Sequence, residues 1–257
     1  MSELAVAEQF FSIQGEGRYS GQPSVFLRLA GCNLLCGAVG RNPQDVDPSA
    51  DNPTDGATWV CDTIDVWREA DQTYSPEELV DEWRSRGWLE AVGGQGAHIV
   101  LTGGEPTLPK HQEAFVEFEE VLREEVGHVF VEVETNGTIK PSPEFDSAVD
   151  QYNVSLKLRN SGHSKEERIN PEAIEFHDFN RQSDWKFVVG SEDDIDEIKS
   201  LVDEFDLNDK DIMLMPAGMS QDQLRVSYPM VAELCKETGW KFTGRRHVDI
   251  YDMATSV

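Results

Sequence analysis

Short apolar runs alternate with amphipathic stretches along most of the chain. Residues 3–13 alternate loosely and predict a strand, and residues 24–30 predict an apolar strand interrupted by Arg28. Ser75 and Glu78 form a capping box with Pro76 between them, so a helix is expected from there to Arg86, stopping at Gly87. Further strands are predicted over 97–101, 129–134, 152–158, 185–189 and 212–215, with a last one over 248–251. Helices are predicted over 111–125 and 191–205, and from the turn after Pro216 to Thr238. The second is acidic and amphipathic, with Ile195, Ile198, Leu201, Val202 and Phe205 on one face. Met213, Met215 and Met219 read as core.

Polar, turn-forming clusters follow three of these strands: Thr102-Gly103-Gly104-Glu105-Pro106, Glu134-Thr135-Asn136-Gly137 and Pro216-Ala217-Gly218. Strands alternating with helices, with such clusters at successive strand ends, predict an α/β fold. Its sheet is expected to be mainly parallel, curved or barrel-like, with the active face at the carboxyl ends. One domain over 1–257 is the expectation at this length, with an insertion at 37–59 where Asn, Asp, Pro and Gly replace apolar residues.

Charge and cysteines narrow the function. With 49 acidic against 22 basic residues, the net charge of -27 repels phosphate backbones and anionic membranes, and no basic patch offsets it. A small substrate is expected, with no direct nucleic-acid or membrane binding. The start of the chain lacks a basic, then apolar leader, so a cytoplasmic protein is expected.

Three of the four cysteines, Cys32, Cys36 and Cys61, fall in one region, while Cys235 lies in an apolar helical pattern and reads as a buried free thiol. Three thiolates leave one position open on a cluster or metal, which points to chemistry. The alternatives are a zinc knuckle completed by a histidine, or three unrelated thiols. Arg28 either snorkels at an edge or anchors an anion. Gln14 and Glu16, flanked by glycines in Ser12-Ile13-Gln14-Gly15-Glu16-Gly17, make a turn that a small planar ligand could approach closely.

Taken in order, these motifs resemble the radical S-adenosylmethionine superfamily, and within it the 7-carboxy-7-deazaguanine synthase family. The resemblance runs from Phe10 to about Gly218. It rests on Gln14-Gly15-Glu16-Gly17, Arg28 ahead of Gly31-Cys32-Asn33, Cys61-Asp62-Thr63, Gly103-Gly104-Glu105-Pro106, Glu134-Thr135-Asn136-Gly137 and Ser155-Leu156-Lys157. It implies a partial or modified (β/α) barrel and a [4Fe-4S] cluster on Cys32, Cys36 and Cys61, chelating S-adenosylmethionine. A 5'-deoxyadenosyl radical would then drive ring contraction of 6-carboxy-5,6,7,8-tetrahydropterin, with loss of ammonia, on the route to queuosine and archaeosine bases of tRNA.

By the same resemblance, Ile13, Gln14, Gly15, Arg28 and Thr102 contact the pterin, and Thr63 gives its hydroxyl to Mg2+. Gly104, Glu134, Ser155, Leu156 and Lys157 hold S-adenosylmethionine, together with Met215, Pro216, Ala217 and Gly218. A flavodoxin or ferredoxin electron donor and a homodimer are expected. Three features depart from the family pattern, one being the poor match beyond Gly218, which leaves the tail from Arg245 to Val257 without an assigned role. Twenty-four residues separate Cys36 from Cys61, and Leu156 stands where proline is usual. The competing activity is that of a radical activating enzyme, which makes a glycyl radical on a protein partner; it shares the cysteines but gives no reason for Gln14, Glu16 and Arg28.

The acidic residues are spread along the chain, a pattern that fits adaptation to a salt-rich cytoplasm in which ions screen self-repulsion. Thermal melting should therefore shift upward from low to molar potassium chloride, and equal midpoints would refute the hypothesis.

Overall fold

The computed structural model describes residues 2–48, 52–180 and 182–254. Nine strands are described: β1 (Leu4–Ile13), β2 (Pro23–Leu29), β3 (Gln72–Tyr74), β4 (His98–Gly103), β5 (Val131–Thr135), β6 (Gln151–Val154), β7 (Ser183–Val189), β8 (Ile212–Pro216) and β9 (Lys241–Phe242). They form one open sheet in the order β3-β1-β2-β4-β5-β6-β7-β8-β9. From β2 to β9 every pairing is parallel, whereas β1 runs antiparallel to β2 and β3 antiparallel to β1.

The helices are α1 (Ile64–Trp67), α2 (Pro76–Ser85), α3 (Trp88–Gly93), α4 (Pro109–Val126), α5 (Pro143–Ser147), α6 (Lys165–Arg168), α7 (Pro171–Phe179), α8 (Asp194–Phe205), α9 (Gln221–Thr238) and α10 (Arg246–Tyr251). The capping box opens α2 as the sequence requires: the Ser75 hydroxyl accepts from the Glu78 amide, and the Glu78 carboxylate accepts from the Ser75 amide.

Side chains alternate across a strand, so each strand presents two faces. On one face Leu27, Ile99, Leu101, Val131, Val133, Tyr152, Val154, Trp185, Phe187 and Leu214 pack with Leu79, Trp83, Phe115, Phe118, Leu122, Ile198, Leu201 and Val231 of the helices in a single core. The opposite face carries Arg28, Thr102, Glu132, Glu134, Asn153, Asp184 and Lys186. A long polar row on the face away from the helices is what an unclosed barrel needs if its interior is to bind something polar.

Three expectations are corrected. Residues 248–251 are not a strand but part of α10, because the Asp249 and Asp252 amides bond back to Arg245 and Val248 carbonyls. The last strand is instead Lys241–Phe242, at the sheet edge. The 152–158 strand stops at Val154: Leu156 and Leu158 are buried core residues, but they stand on a loop with no ladder partner. Helix α8 starts at Asp194, three residues after Ser191, and Phe205 is only half-buried. Met213 and Met215 are buried, Met219 is half-buried, and Cys235 is a free, buried thiol.

His177 lies inside the core against Tyr152, Phe176 and Trp185, and burial pushes its pKa down to about 3. The unfolded chain protonates this ring below about pH 6.5, so between that value and the folded one acid favours unfolding. His177→Phe should flatten the pH dependence of stability across that window by up to about 1.4 kcal/mol per pH unit. Urea titrations at a series of pH values check this, and parallel profiles for variant and parent would refute it.

Candidate active site

The site begins where β2 ends. Gly31, Cys32 and Asn33 follow Leu29 and run beside the turn after β4, with the Gly104 amide donating to the Leu29 carbonyl and the Glu105 amide to Gly31. A Cβ on Gly104 would lie 2.3 Å from the Gly31 oxygen and 2.7 Å from the Cys32 Cβ, so only glycine lets the two turns meet.

Glu105 fastens them to a third turn. It is fully buried, accepting from the Thr107 amide and hydroxyl, the Thr135 hydroxyl and the Asn136 amide. Burial raises its pKa, while these donors favour the ionised form. Asn136 in turn donates to Asn33 at 3.0 Å and points its amide toward the Cys32 sulfur at 3.9 Å. Glu105 is thus a brace beneath the site.

The insertion folds back on the same loop. The Thr54 amide donates to the Gly37 carbonyl, the Thr58 amide to Asn160, and the Gly37 amide to Ser161, while the Trp59 indole bonds the Asn160 side chain. The Cys61 amide then donates to the Cys36 carbonyl at 3.0 Å. Gly37 is left-handed, with φ 75°, and a Cβ there would stand 1.9 Å from the Trp59 oxygen. Of the expected 37–59 insertion, residues 49–51 lie outside the described residues.

Cys32, Cys36 and Cys61 are all free thiols. Burial raises the Cys32 pKa first, and the Glu105 carboxylate and the other two sulfurs raise it further. Burial also raises Cys36, against the pull of Lys157, to about 12. Unligated, these two are therefore protonated, and metal binding must displace their protons. Cys61 accepts from the Trp67 indole at 3.5 Å and has the Thr63 hydroxyl at 3.6 Å. Among the described residues, no three His, Cys, Asp or Glu side chains are placed to hold a metal ion.

The predicted pterin contacts gather beside this loop. Gln14, buried after β1, donates to Glu134 at 3.4 Å, and the Thr102 hydroxyl donates to the other Glu134 oxygen at 2.9 Å. Glu134 therefore stands with Gln14 and Thr102, one residue before Thr135, whose carbonyl accepts from the Ser155 amide. Ile13 ends β1, and Gly15 follows Gln14. Arg28 faces Thr102 across the sheet, but its Nε already donates to Glu8 at 2.7 Å.

Lys157 donates to the Ser155 hydroxyl at 3.1 Å, whereas Leu156 is buried beneath Gly137. Met215 and Pro216 are buried at the end of β8, and the chain turns out through Ala217 and Gly218.

A charged cluster closes the arrangement, and sequence reasoning did not assemble it. Glu16 takes Lys186 at 2.5 Å on one oxygen and Arg245 at 2.9 Å on the other, and Arg245 also reaches Asp62 at 2.8 Å. Burial pushes the Glu16 carboxyl up, but Lys186 and Arg245 together hold it well below the usual carboxylate range. Glu16 in its glycine turn and a lone lysine between Trp185 and Phe187 were the visible signals. The ring of His247 packs against Gly15, where a Cβ would fall 1.9 Å from its Nδ1.

The 7-carboxy-7-deazaguanine synthase of Halobacterium salinarum is 32% identical over 98% of this chain and 91% of its own length. The synthases of Pyrobaculum aerophilum and Rhodopirellula baltica are 31% and 29% identical over 95% and 96% of the chain, covering 93% and 86% of their own lengths. The crystal structure of QueE from Escherichia coli matches with a TM-score of 0.60 at 23% identity, over 95% of both chains, which shows a shared partial-barrel fold. No protein-family model matches.

Gly37→Ala should cost at least about 2 kcal/mol, from left-handed strain plus the collision with Trp59. Gly40, also left-handed at φ 80° but with nothing within 4 Å of a Cβ, isolates the strain component. Equal losses for Gly37→Ala and Gly40→Ala in urea denaturation would show that the collision does not exist.

Proposed function

The chain belongs to the 7-carboxy-7-deazaguanine synthase family, and from that premise we propose which of its residues carry the reaction. Cys32, Cys36 and Cys61 hold a [4Fe-4S] cluster, the whole chain acts as one unit, and the 37–59 insertion delivers the third thiol. The observation that carries this reading is the return of Cys61 onto Cys36 across the insertion. Three free thiols on one loop, without a disulfide among them, fit a cluster of several irons, whose ligands stand further apart than those of one ion. When bound, the cluster supplies an electron to the sulfonium of S-adenosylmethionine.

The protein's work is orientation and exclusion of water. Gly104 keeps the floor of the cofactor site open, the Ser155 hydroxyl and Lys157 amine offer donors above Cys36, and the 215–218 turn supplies backbone. Leu156 is buried, so only its main chain can contribute. The substrate is 6-carboxy-5,6,7,8-tetrahydropterin, ring-contracted to 7-carboxy-7-deazaguanine with loss of ammonia. Glu134, Gln14 and Thr102 form a corner with donors and an acceptor suited to a pterin edge, and Ile13 and Gly15 bring main chain to it.

Arg28 meets the substrate carboxylate through its terminal nitrogens, because Glu8 holds Nε and fixes the guanidinium plane. The Thr63 hydroxyl offers one oxygen to Mg2+, a cation that takes most of its remaining shell from substrate and water. A flavodoxin or ferredoxin reductant, a homodimer and a cytoplasmic setting complete the proposal. No helix among the described residues is long and apolar enough to cross a membrane.

Anaerobic reconstitution should give a brown protein that cleaves S-adenosylmethionine and turns over carboxytetrahydropterin. Arg28→Ala should keep the iron content and weaken substrate binding by about 2–5 kcal/mol. Unchanged affinity in that variant would reduce Arg28 to a structural residue paired with Glu8, and absent turnover in the parent would refute the reaction.

A further inference from the structure

The segment after β9 crosses the polar face of the sheet and settles on the turn after β1. Arg246 donates its amide to the Gly15 carbonyl at 2.8 Å, and His247 covers Gly15. Arg245 makes the longest reach. Its side chain is 15% exposed, and each of its three nitrogens donates to a different part of the chain. Nε goes to Glu16 at 2.9 Å, one Nη to Asp62 at 2.8 Å, and the other to the Gly218 carbonyl at 2.7 Å. The Tyr228 hydroxyl accepts from the Arg245 amide and donates to Asp249, so the backbone behind the guanidinium is anchored as well.

Those three partners belong to three regions assigned separate tasks above: the turn that meets the pterin, the loop that carries Cys61, and the turn that meets S-adenosylmethionine. At neutral pH two carboxylates, Glu16 and Asp62, face two cations, Lys186 and Arg245, and the group is neutral. Without Arg245 the group keeps an extra negative charge where an anionic substrate must bind. It also loses a group that touches all three regions.

We propose that Arg245 is a positioning residue that fastens the C-terminal segment across the active site and sets the Gln14–Gly17 turn, the Cys61 loop and the 216–218 turn relative to one another. The inference rests on the assignment of the pterin corner made above. It places a determinant of substrate affinity in a segment that the resemblance to known enzymes leaves without a role. Lysine could keep the charge but not the three directions, because its ammonium is a point donor and guanidinium is a planar fork.

The test compares the full chain with Arg245→Met and Arg245→Lys. Amide exchange in residues 14–17 and 244–254 should accelerate about tenfold or more in Arg245→Met, and less in Arg245→Lys. Iron bound per chain after reconstitution should match the parent. The KM for carboxytetrahydropterin should rise about tenfold in Arg245→Met while kcat changes far less, with partial recovery in Arg245→Lys. Should Arg245→Met fail to fold, Arg245→Lys carries the same comparison at smaller amplitude. Parent-like exchange and KM in a folded variant would overturn the proposal. Faster exchange in a protein whose parent does not turn over the pterin would overturn the assigned reaction and leave the fastening role standing.

Discussion

One backbone hydrogen bond, from the Cys61 amide to the Cys36 carbonyl, brings the third cysteine of this region back onto the loop that carries the first two. Sequence distance works against it, since closing a loop of two dozen residues costs entropy that grows with the logarithm of its length. The loop is therefore closed by parts. Thr54 bonds Gly37, Thr58 and Trp59 bond Asn160, and Gly37 bonds Ser161, so the segment is laid down on the loop after β6 before it reaches Cys36. The missing side chain at Gly37 is what lets the Trp59 carbonyl pass.

Around that contact the polar face of the sheet is organised as compensated charge. Arg28 takes Glu8, Arg18 takes Asp184, and Glu16 with Asp62 is matched by Lys186 and Arg245. Buried ions are costly unless paired, and apart from Arg28–Glu8, which sits across the first hairpin, these pairs join elements distant in sequence. The sheet itself is open, yet the first hairpin and the last segment meet across it: the Gly17 amide donates to Thr243, and Arg246 to Gly15. Side-chain charge and a few main-chain bonds thus span the gap that strand pairing leaves.

Much of this was legible in the chain. The strand-end clusters and the capping box at Ser75 follow from local pattern, because a turn or a cap is decided by a handful of neighbouring residues. What was illegible depended on partners far away. Nothing near Arg245 announces that it meets Glu16 and Asp62, and Val248–Tyr251 alternates like a strand although the sheet edge is already taken by Lys241–Phe242. The apolar alternation at Leu156 and Leu158 was misleading for a related reason: core burial reproduces a strand's periodicity without a strand's hydrogen bonds. The contacts of Glu134 divide the same way: Thr102 is its neighbour in register on the adjacent strand, whereas Gln14 reaches it from the turn after β1.

Because the interior pairs cancel, nearly all of the net charge of -27 must reside on the outer shell. Any anionic ligand or protein would therefore approach through a repulsive field before reaching an attractive group. Such an encounter is governed by the thickness of the ion atmosphere, so dissolved salt sets how fast an anion reaches the polar face, while the paired charges inside are largely insulated from it.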